Sequence, residues 1–294
     1  MKQGKVYRIL AVLMTAMILL VGGCSFFEPT SAPTSIEEGV TVTMLDVGQG
    51  DAVLIRTKEK TVLIDTGDID ERDRFVRELK KQGIDRIDIL MITHPHADHI
   101  GGFAEAAKRY EIGQIYDCGK TTTTAVYRDY LKTIQKKKIP FTVVKQGDVL
   151  DFGGDVRFEV VGPPHLTGDD DDLNNASIVG RLVYGDFSMM FTGDTEKAAE
   201  KAIVKKYGKR LASTVLKAPH HASKTSSSST FLKAVDPSAV LISVGYGNDY
   251  GHPHQPIIKR YQKQGIDIYR TDRDGTLTVV SDGKSCSVKK GSAR

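Results

Sequence analysis

Cysteine is scarce: Cys24, Cys118 and Cys286 are the three in 294 residues, so at most one disulfide can close within the chain. No dense run of lysine and arginine occurs, and the formal charge of +4 is small for this length, so composition alone does not announce a nucleic-acid partner. No self-similarity recurs at solenoid periods, which excludes a repeat array. The apolar stretch from Ile9 to Val21 is too short to span a bilayer comfortably as a permanent helix. What is present, 40% apolar and 27% charged residues, is the make-up of an ordinary folded protein with a large core in one substantial domain.

The first residues stand apart. Lys2, Lys5 and Arg8 precede the apolar run, and Gly22-Gly23-Cys24 follows it, the order of a signal peptide over 1–23. Val21-Gly22-Gly23-Cys24 resembles a bacterial lipobox, which implies cleavage before Cys24 and lipid on its sulfur. Two or more acyl chains would give stable membrane attachment on the outer side. Residues 24–39, with Ser, Thr and Pro and no apolar period, read as a lipidated cysteine and flexible tether, so the folded domain is expected over 40–294. Once Cys24 is lipidated, Cys118 and Cys286 remain, as a pair or as two lone thiols.

Short β-rich pieces at Val40 to Leu45, Ala52 to Arg56 and Thr61 to Ile64 are separated by glycine-containing turns. Glu71 to Gln82 has the apolar spacing of an amphipathic helix, and Gly83 ends it. An apolar strand, Ile87 to Thr93, runs into a polar cluster and then a helix through Tyr110. Further strands are expected at Gln114 to Asp117, Phe141 to Lys145, Arg157 to Val161, Ser177 to Tyr184, Ser188 to Thr192, Ala239 to Val244, Asp267 to Arg270 and Thr276 to Ser281. Helices are expected at Tyr127 to Lys138, Glu196 to Tyr207, Thr230 to Ala234 and Pro256 to Gln264. This is an α/β chain of two sheets with helices outside, in which loops beyond strand ends build sites.

The polar cluster is Thr93-His94-Pro95-His96-Ala97-Asp98-His99-Ile100-Gly101-Gly102. Imidazole and carboxylate are the ligands that zinc and its borderline neighbours prefer, and the alternate spacing lets His94 and His96 converge on one ion while Asp98 and His99 turn towards another. Two ions about 3.5–4 Å apart can share a bridging hydroxide and stabilise charge developing on a substrate. The motif His-x-His-x-Asp-His at His94, His96, Asp98 and His99 resembles the signature of the metallo-β-lactamase superfamily, with landmarks in the family's order from residue 41 to about 282. The resemblance implies a four-layer αββα sandwich with two divalent ions, zinc or manganese, at one edge.

It also implies roles for distant residues. Asp65 matches an aspartate that orients the histidine loop, Asp194 matches the aspartate that bridges the ions, and His220 and His221 occupy the place of the late histidine ligand. One of the two should bind metal and the other face the substrate, and both readings stay open. Many members carry a further histidine ligand before the bridging aspartate; here the region reads Leu173-Asn174-Asn175-Ala176-Ser177, and His165, beside two prolines and an acidic run, is a bystander.

The segments Leu45-Asp46-Val47-Gly48-Gln49-Gly50-Asp51-Ala52, Asn174 to Ser177, Lys217 to Ser223 and Asn248 to Pro253 are similar to the extracytoplasmic hydrolase domain of ComEC-type competence proteins. That branch implies phosphodiester hydrolysis, with DNA the leading substrate. Asp46, with Gln49 and Asp51, is then expected to buttress the metal loop or shape a substrate wall, and Asn175, Ser177 and Ser223 to contact substrate. Asp98, His252 and His221 form the catalytic set, His252 being able to donate a proton to the leaving oxygen. A phosphorylcholine-esterase-like action on the cell wall and lactone or β-lactam opening are the alternatives. No protein partner is implied.

Overall fold

A computed structural model describes residues 39–292; the segments expected to be a signal peptide, a lipidated Cys24 and a tether lie outside them, residue 39 excepted. Fifteen strands are formed: β1 Val40–Met44, β2 Val53–Arg56, β3 Thr61–Ile64, β4 Ile87–Ile92, β5 Ile112–Asp117, β6 Phe141–Val143, β7 Val149–Asp151, β8 Arg157–Gly162, β9 Val179–Tyr184, β10 Phe187–Phe191, β11 Val215–Lys217, β12 Ala239–Ile242, β13 Asp267–Arg270, β14 Leu277–Ser281 and β15 Cys286–Lys290. They make an eight-stranded sheet in the order β15-β14-β1-β2-β3-β4-β5-β6 and a seven-stranded sheet in the order β13-β12-β11-β10-β9-β8-β7.

The sequence alternation explains the layering. In β4, Ile89 and Met91 point between the sheets, while Leu90 and Ile92 point to the opposite face. In β10, Phe187, Met189 and Phe191 join the inter-sheet core and Met190 faces outward into another apolar layer. A strand buried on both faces reads as a continuous apolar run. Helices Arg72–Lys80, Phe103–Arg109 and Ala125–Lys137 cover the first sheet through residues such as Phe75, Phe103 and Tyr130. Helices Lys197–Tyr207, Ser229–Val235 and Gln255–Lys263 cover the second through Ile203, Phe231 and Tyr261. The result is the expected αββα sandwich.

The strands β7, β11 and β15 are additions to the sequence reading. Two of them have three residues, too few to show a period, and Val215-Leu216-Lys217 is buried throughout, so no alternation exposes it. Cys118 and Cys286 are both free and pack against the inter-sheet core, so the thiols are unpaired. Among the described residues no helix is long and apolar enough to cross a membrane.

Strand direction positions the site. β3, β4 and β5 run parallel, as do β10, β11, β12 and β13. β1 is antiparallel to β2 and β2 to β3, so β1 points the same way as β3. The loops that follow β1, β3, β4, β10, β11 and β12 consequently gather at one end of the sandwich, beyond the carboxyl ends of the strands, where α/β sheets bind ligands.

Candidate metal centre

The histidine motif leaves β4 through Thr93. Its N–H and hydroxyl donate to the two carboxylate oxygens of Asp65, at 2.8 and 2.7 Å, and Asp65 Oδ2 also lies 2.9 Å from His99 Nδ1. Asp65 thus holds the loop and fixes one nitrogen of His99, which leaves Nε2 turned inward. A single helical turn, Ala97–Ile100, brings Asp98 and His99 round to the same side. Gly50, at φ +115°, crosses this turn so closely that a Cβ would collide with the carbonyl of Asp98.

The other donors arrive from the second sheet. Asp194 follows β10, and its N–H donates to Ser177 Oγ at 3.0 Å. After β11 the chain passes through His220, His221 and Ala222 with φ of 49°, 52° and 62°, three successive left-handed residues without a glycine. Such backbone is costly and persists where surrounding structure enforces it. Here the N–H of His220 donates to the Gly193 carbonyl at 3.1 Å and the N–H of Ser223 to the His220 carbonyl at 2.7 Å. His221 Nδ1 lies 2.9 Å from the Ser243 carbonyl, an acceptor, so the proton sits there and Nε2 is left for the centre.

Asp98, His99, Asp194 and His221 place one donor atom each within 4.8 Å of one another. Asp194 Oδ2 is 3.4 Å from His99 Nε2 and 3.6 Å from His221 Nε2, and Asp98 Oδ2 is 3.7 and 3.4 Å from the same two nitrogens. Both nitrogens are buried and have no hydrogen-bond partner among the described residues. Buried polar atoms are seldom left so, and two carboxylates with two such imidazoles are the donor set of a divalent cation. Beside them His94 Nε2 and His96 Nδ1 converge to 2.9 Å. Asn174 is close by on the cavity wall, its amide nitrogen donating to Glu196 Oε1 at 3.3 Å while its buried Oδ1 accepts no hydrogen bond among the described residues.

Electrostatics follow from this packing. Burial opposes charge on His99, but Asp194, Asp98 and Asp65 outweigh it and hold its pKa well above the ordinary imidazole value. Burial likewise opposes charge on His221, and Asp194 and Asp51 outweigh it, raising its pKa. Asp98 and Asp194 go the other way: against the cost of burial, His99 and His221 hold both carboxyls ionised. His94, buried and next to His99, is held neutral. Without metal, protons on His99 and His221 therefore offset the carboxylates. A group whose pKa is raised by folding contributes stability that is full below the unfolded value, about 6.5 for histidine, and is lost as pH rises through the folded value. Chelated protein should accordingly melt at progressively lower temperature as pH is raised above about 6.5, and added divalent metal should flatten that slope by replacing the protons. Thermal melts in EDTA that stay level between pH 6 and 9 would contradict this.

The pair left open in the sequence separates. His221 is buried within the donor cluster, whereas His220 stands on the cavity wall, with Nε2 3.7 Å from Asp194 Oδ2 and Nδ1 3.1 Å from Glu196. The cavity, about 330 Å³, is lined also by Gln49, Asp68, His96, Tyr250 and His252. His252 has its pKa pushed down to about 4 by burial and the neighbouring imidazoles of His221 and His220, so it is neutral at pH 7. His165 lines a different cavity with Cys118 and Lys120.

Four expected residues are placed otherwise. The Asp46 carboxylate pairs with Arg74, and it is Asp51 of the same turn that reaches the centre, 3.9 Å from His99 Nδ1 and 3.7 Å from His221 Nδ1. Asn175 is buried: its Oδ1 accepts from the N–H groups of Glu196 and Ala199 at a helix start, and its amide donates to Asp172. Ser177, fully buried, links the Asp194 N–H to His94 Nδ1, 3.3 Å away. Ser223 Oγ accepts from Thr225. None of these three lines the cavity, because backbone donors and ring nitrogens inside the loops claim their polar atoms first.

Lys217 was missed. It is 2% exposed, forms an ion pair with Asp51, donates to the Gly193 carbonyl at 3.0 Å and lies 3.9 Å from Asp194 Oδ1. The one signal in the sequence is its place, a lone charge ending the apolar Val215-Leu216 just before the histidine pair.

Residues 45–246 match the Metallo-beta-lactamase superfamily. The fold, the ligand order and this match place the chain in one class: it belongs to the metallo-β-lactamase superfamily. Within it, the chain is similar to the competence protein ComA of Neisseria gonorrhoeae, 34% identical over 261 residues that cover 88% of this chain and 34% of that protein. It is also similar to ComE operon protein 3 of Bacillus subtilis (strain 168), 30% identical over 254 residues, 80% of this chain and 32% of that protein. The chain thus spans about a third of the length of these curated relatives. The solved metallo-beta-lactamase fold protein YhfI from Bacillus subtilis shares the fold with a TM-score of 0.53 at 11% identity, over 79% of this chain and 96% of that one.

Proposed function

We propose that this protein is a metal-dependent phosphodiesterase, acting on DNA or another extracellular phosphodiester from a lipid anchor at Cys24 on the outer face of the membrane. The observation that carries the reading is the convergence of Asp98, His99, Asp194 and His221 next to the His94–His96 pair, with Asp98, Asp194, His221 and His96 lining an open cavity. Zinc or manganese held there would polarise a phosphodiester and make water more acidic. Asp98, His99 and His221 would hold one ion, His94 and His96 the other, with Asp194 between them and the free oxygen of Asn174 available where other members of the family carry histidine. Asp65, Ser243 and Ser177 orient the imidazoles, and Lys217 and Asp51 brace them from below. His220, steadied by Glu196, and neutral His252 flank the place where substrate would lie. Similarity to two competence proteins supports a phosphodiester and a cell-envelope role over an ester or lactone.

The test is hydrolysis by metal-reconstituted protein of a panel: single- and double-stranded DNA, RNA, bis(p-nitrophenyl) phosphate, p-nitrophenyl phosphorylcholine and a lactone, with His96→Ala as control. Cleavage of phosphodiesters that is lost in the variant is expected. Turnover of the lactone alone would overturn the substrate class.

A further inference from the structure

The loop between β12 and helix Gln255–Lys263 is braced at its base and bare at its tip. Asn248 ties it to itself, its amide donating to the carbonyls of Gly245 and His252 at 2.9 and 2.7 Å, and its oxygen accepting from the His252 N–H at 3.0 Å. The Gly245 N–H donates to Gln49 Oε1 at 3.2 Å, and the Ser243 hydroxyl to the Gly50 carbonyl at 2.7 Å, which fixes the loop against the turn after β1. From this rigid base Tyr246 and Tyr250 project, 79% and 66% exposed, the most exposed large hydrophobic side chains among the described residues.

Their surroundings point to a ligand. Tyr250 lines the metal cavity, with its ring 5.7 Å from that of His252 and only 18° from parallel to it. Tyr246 lines a second cavity, which shares His252 with the first and extends to Arg270 and Arg273. Arg270 is engaged by both oxygens of Asp272, at 2.9 and 2.6 Å, whereas Arg273 is exposed and forms no ion pair among the described residues. A flat face on the cavity rim, a second aromatic farther out and a cation beyond match a ligand with planar groups strung on a phosphate backbone. Stacking on aromatic rings takes any base but needs bases that are unpaired. Asp68, Asp98 and Asp249 surround Tyr250 and would repel such a polyanion unless divalent cations offset them.

We propose that Tyr250 and Tyr246 form a stacking track that receives unpaired bases of a single-stranded nucleic acid on one side of the metal cavity, with Arg273 contacting the backbone beyond them. The proposal rests on the phosphodiesterase reading and narrows its substrate to single strands. It is tested by fluorescence anisotropy of manganese-loaded protein with phosphorothioate-linked oligothymidylate, an abasic strand of equal length, and the corresponding duplex, alongside turnover of bis(p-nitrophenyl) phosphate. Wild type should bind the base-bearing strand about tenfold or more tightly than the abasic one, as expected for one or two stacked bases. Tyr250→Ala and Tyr246→Ala should each lose about fivefold or more of that preference without weakening abasic binding, and the phenylalanine variants should keep it. Duplex binding should not respond to either alanine substitution. Equal binding of the two strands by wild type, or a preference that survives in the double alanine variant, overturns the track. Absent turnover with the preference intact would instead overturn the phosphodiesterase reading.

Discussion

Asp194→Asn should strip divalent metal from the protein and lower phosphodiester hydrolysis by about a thousandfold or more, at the upper end of what loss of one preorganised electrostatic group costs. The carboxylate earns that weight by position: its Oδ2 is 3.4 Å from His99 Nε2, 3.6 Å from His221 Nε2 and 3.7 Å from His220 Nε2. Asparagine keeps the backbone N–H that Ser177 accepts, so the loop after β10 should retain its path and the loss should be one of charge. Metal content by mass spectrometry after dialysis, turnover of bis(p-nitrophenyl) phosphate and a circular-dichroism melt together decide the matter. A variant that keeps two ions and its turnover would remove Asp194 from the centre.

Lys217→Met should destabilise the fold by about 3–5 kcal/mol, the usual consequence of removing one partner from a buried ion pair. Methionine removes the ammonium paired with the Asp51 carboxylate, 3% exposed, and one donor to the Gly193 carbonyl, which keeps the His220 N–H. The double variant Lys217→Met/Asp51→Asn should recover part of the loss, because the buried charge that lost its ammonium partner is then gone. Urea denaturation of the metal-free proteins at pH 7 measures both, free of the contribution that bound metal makes to stability. A single variant within about 1 kcal/mol of wild type would mean that the lysine is not structural.

How much of this could be read from residues alone depended on distance along the chain. The motif from His94 to His99 was legible because six consecutive residues after one strand hold all four donors, so spacing carries the geometry. Asp194 and His221 look like ordinary turn residues, and only similarity to a family singled them out, since they meet His99 through the packing of two sheets. Lys217 escaped notice because lysine usually means solvent; its burial is a property of two carboxylates brought from other strands. Asn175, Ser177 and Ser223 were misplaced for the opposite reason: short polar side chains suit a phosphate in principle, but irregular loops at strand ends have many backbone donors to satisfy. Helices Arg72–Lys80 and Ala125–Lys137 showed in the apolar spacing, whereas the three-residue strands β7 and β11 are fixed by neighbours alone.

The heading of β1 sets where the described chain enters the sandwich relative to the opening. Val40 opens that strand and Met44 closes it, and the turn beyond Met44 is the one that reaches the cations' seat. Gly39, where the described residues begin, therefore lies at the pole remote from the opening.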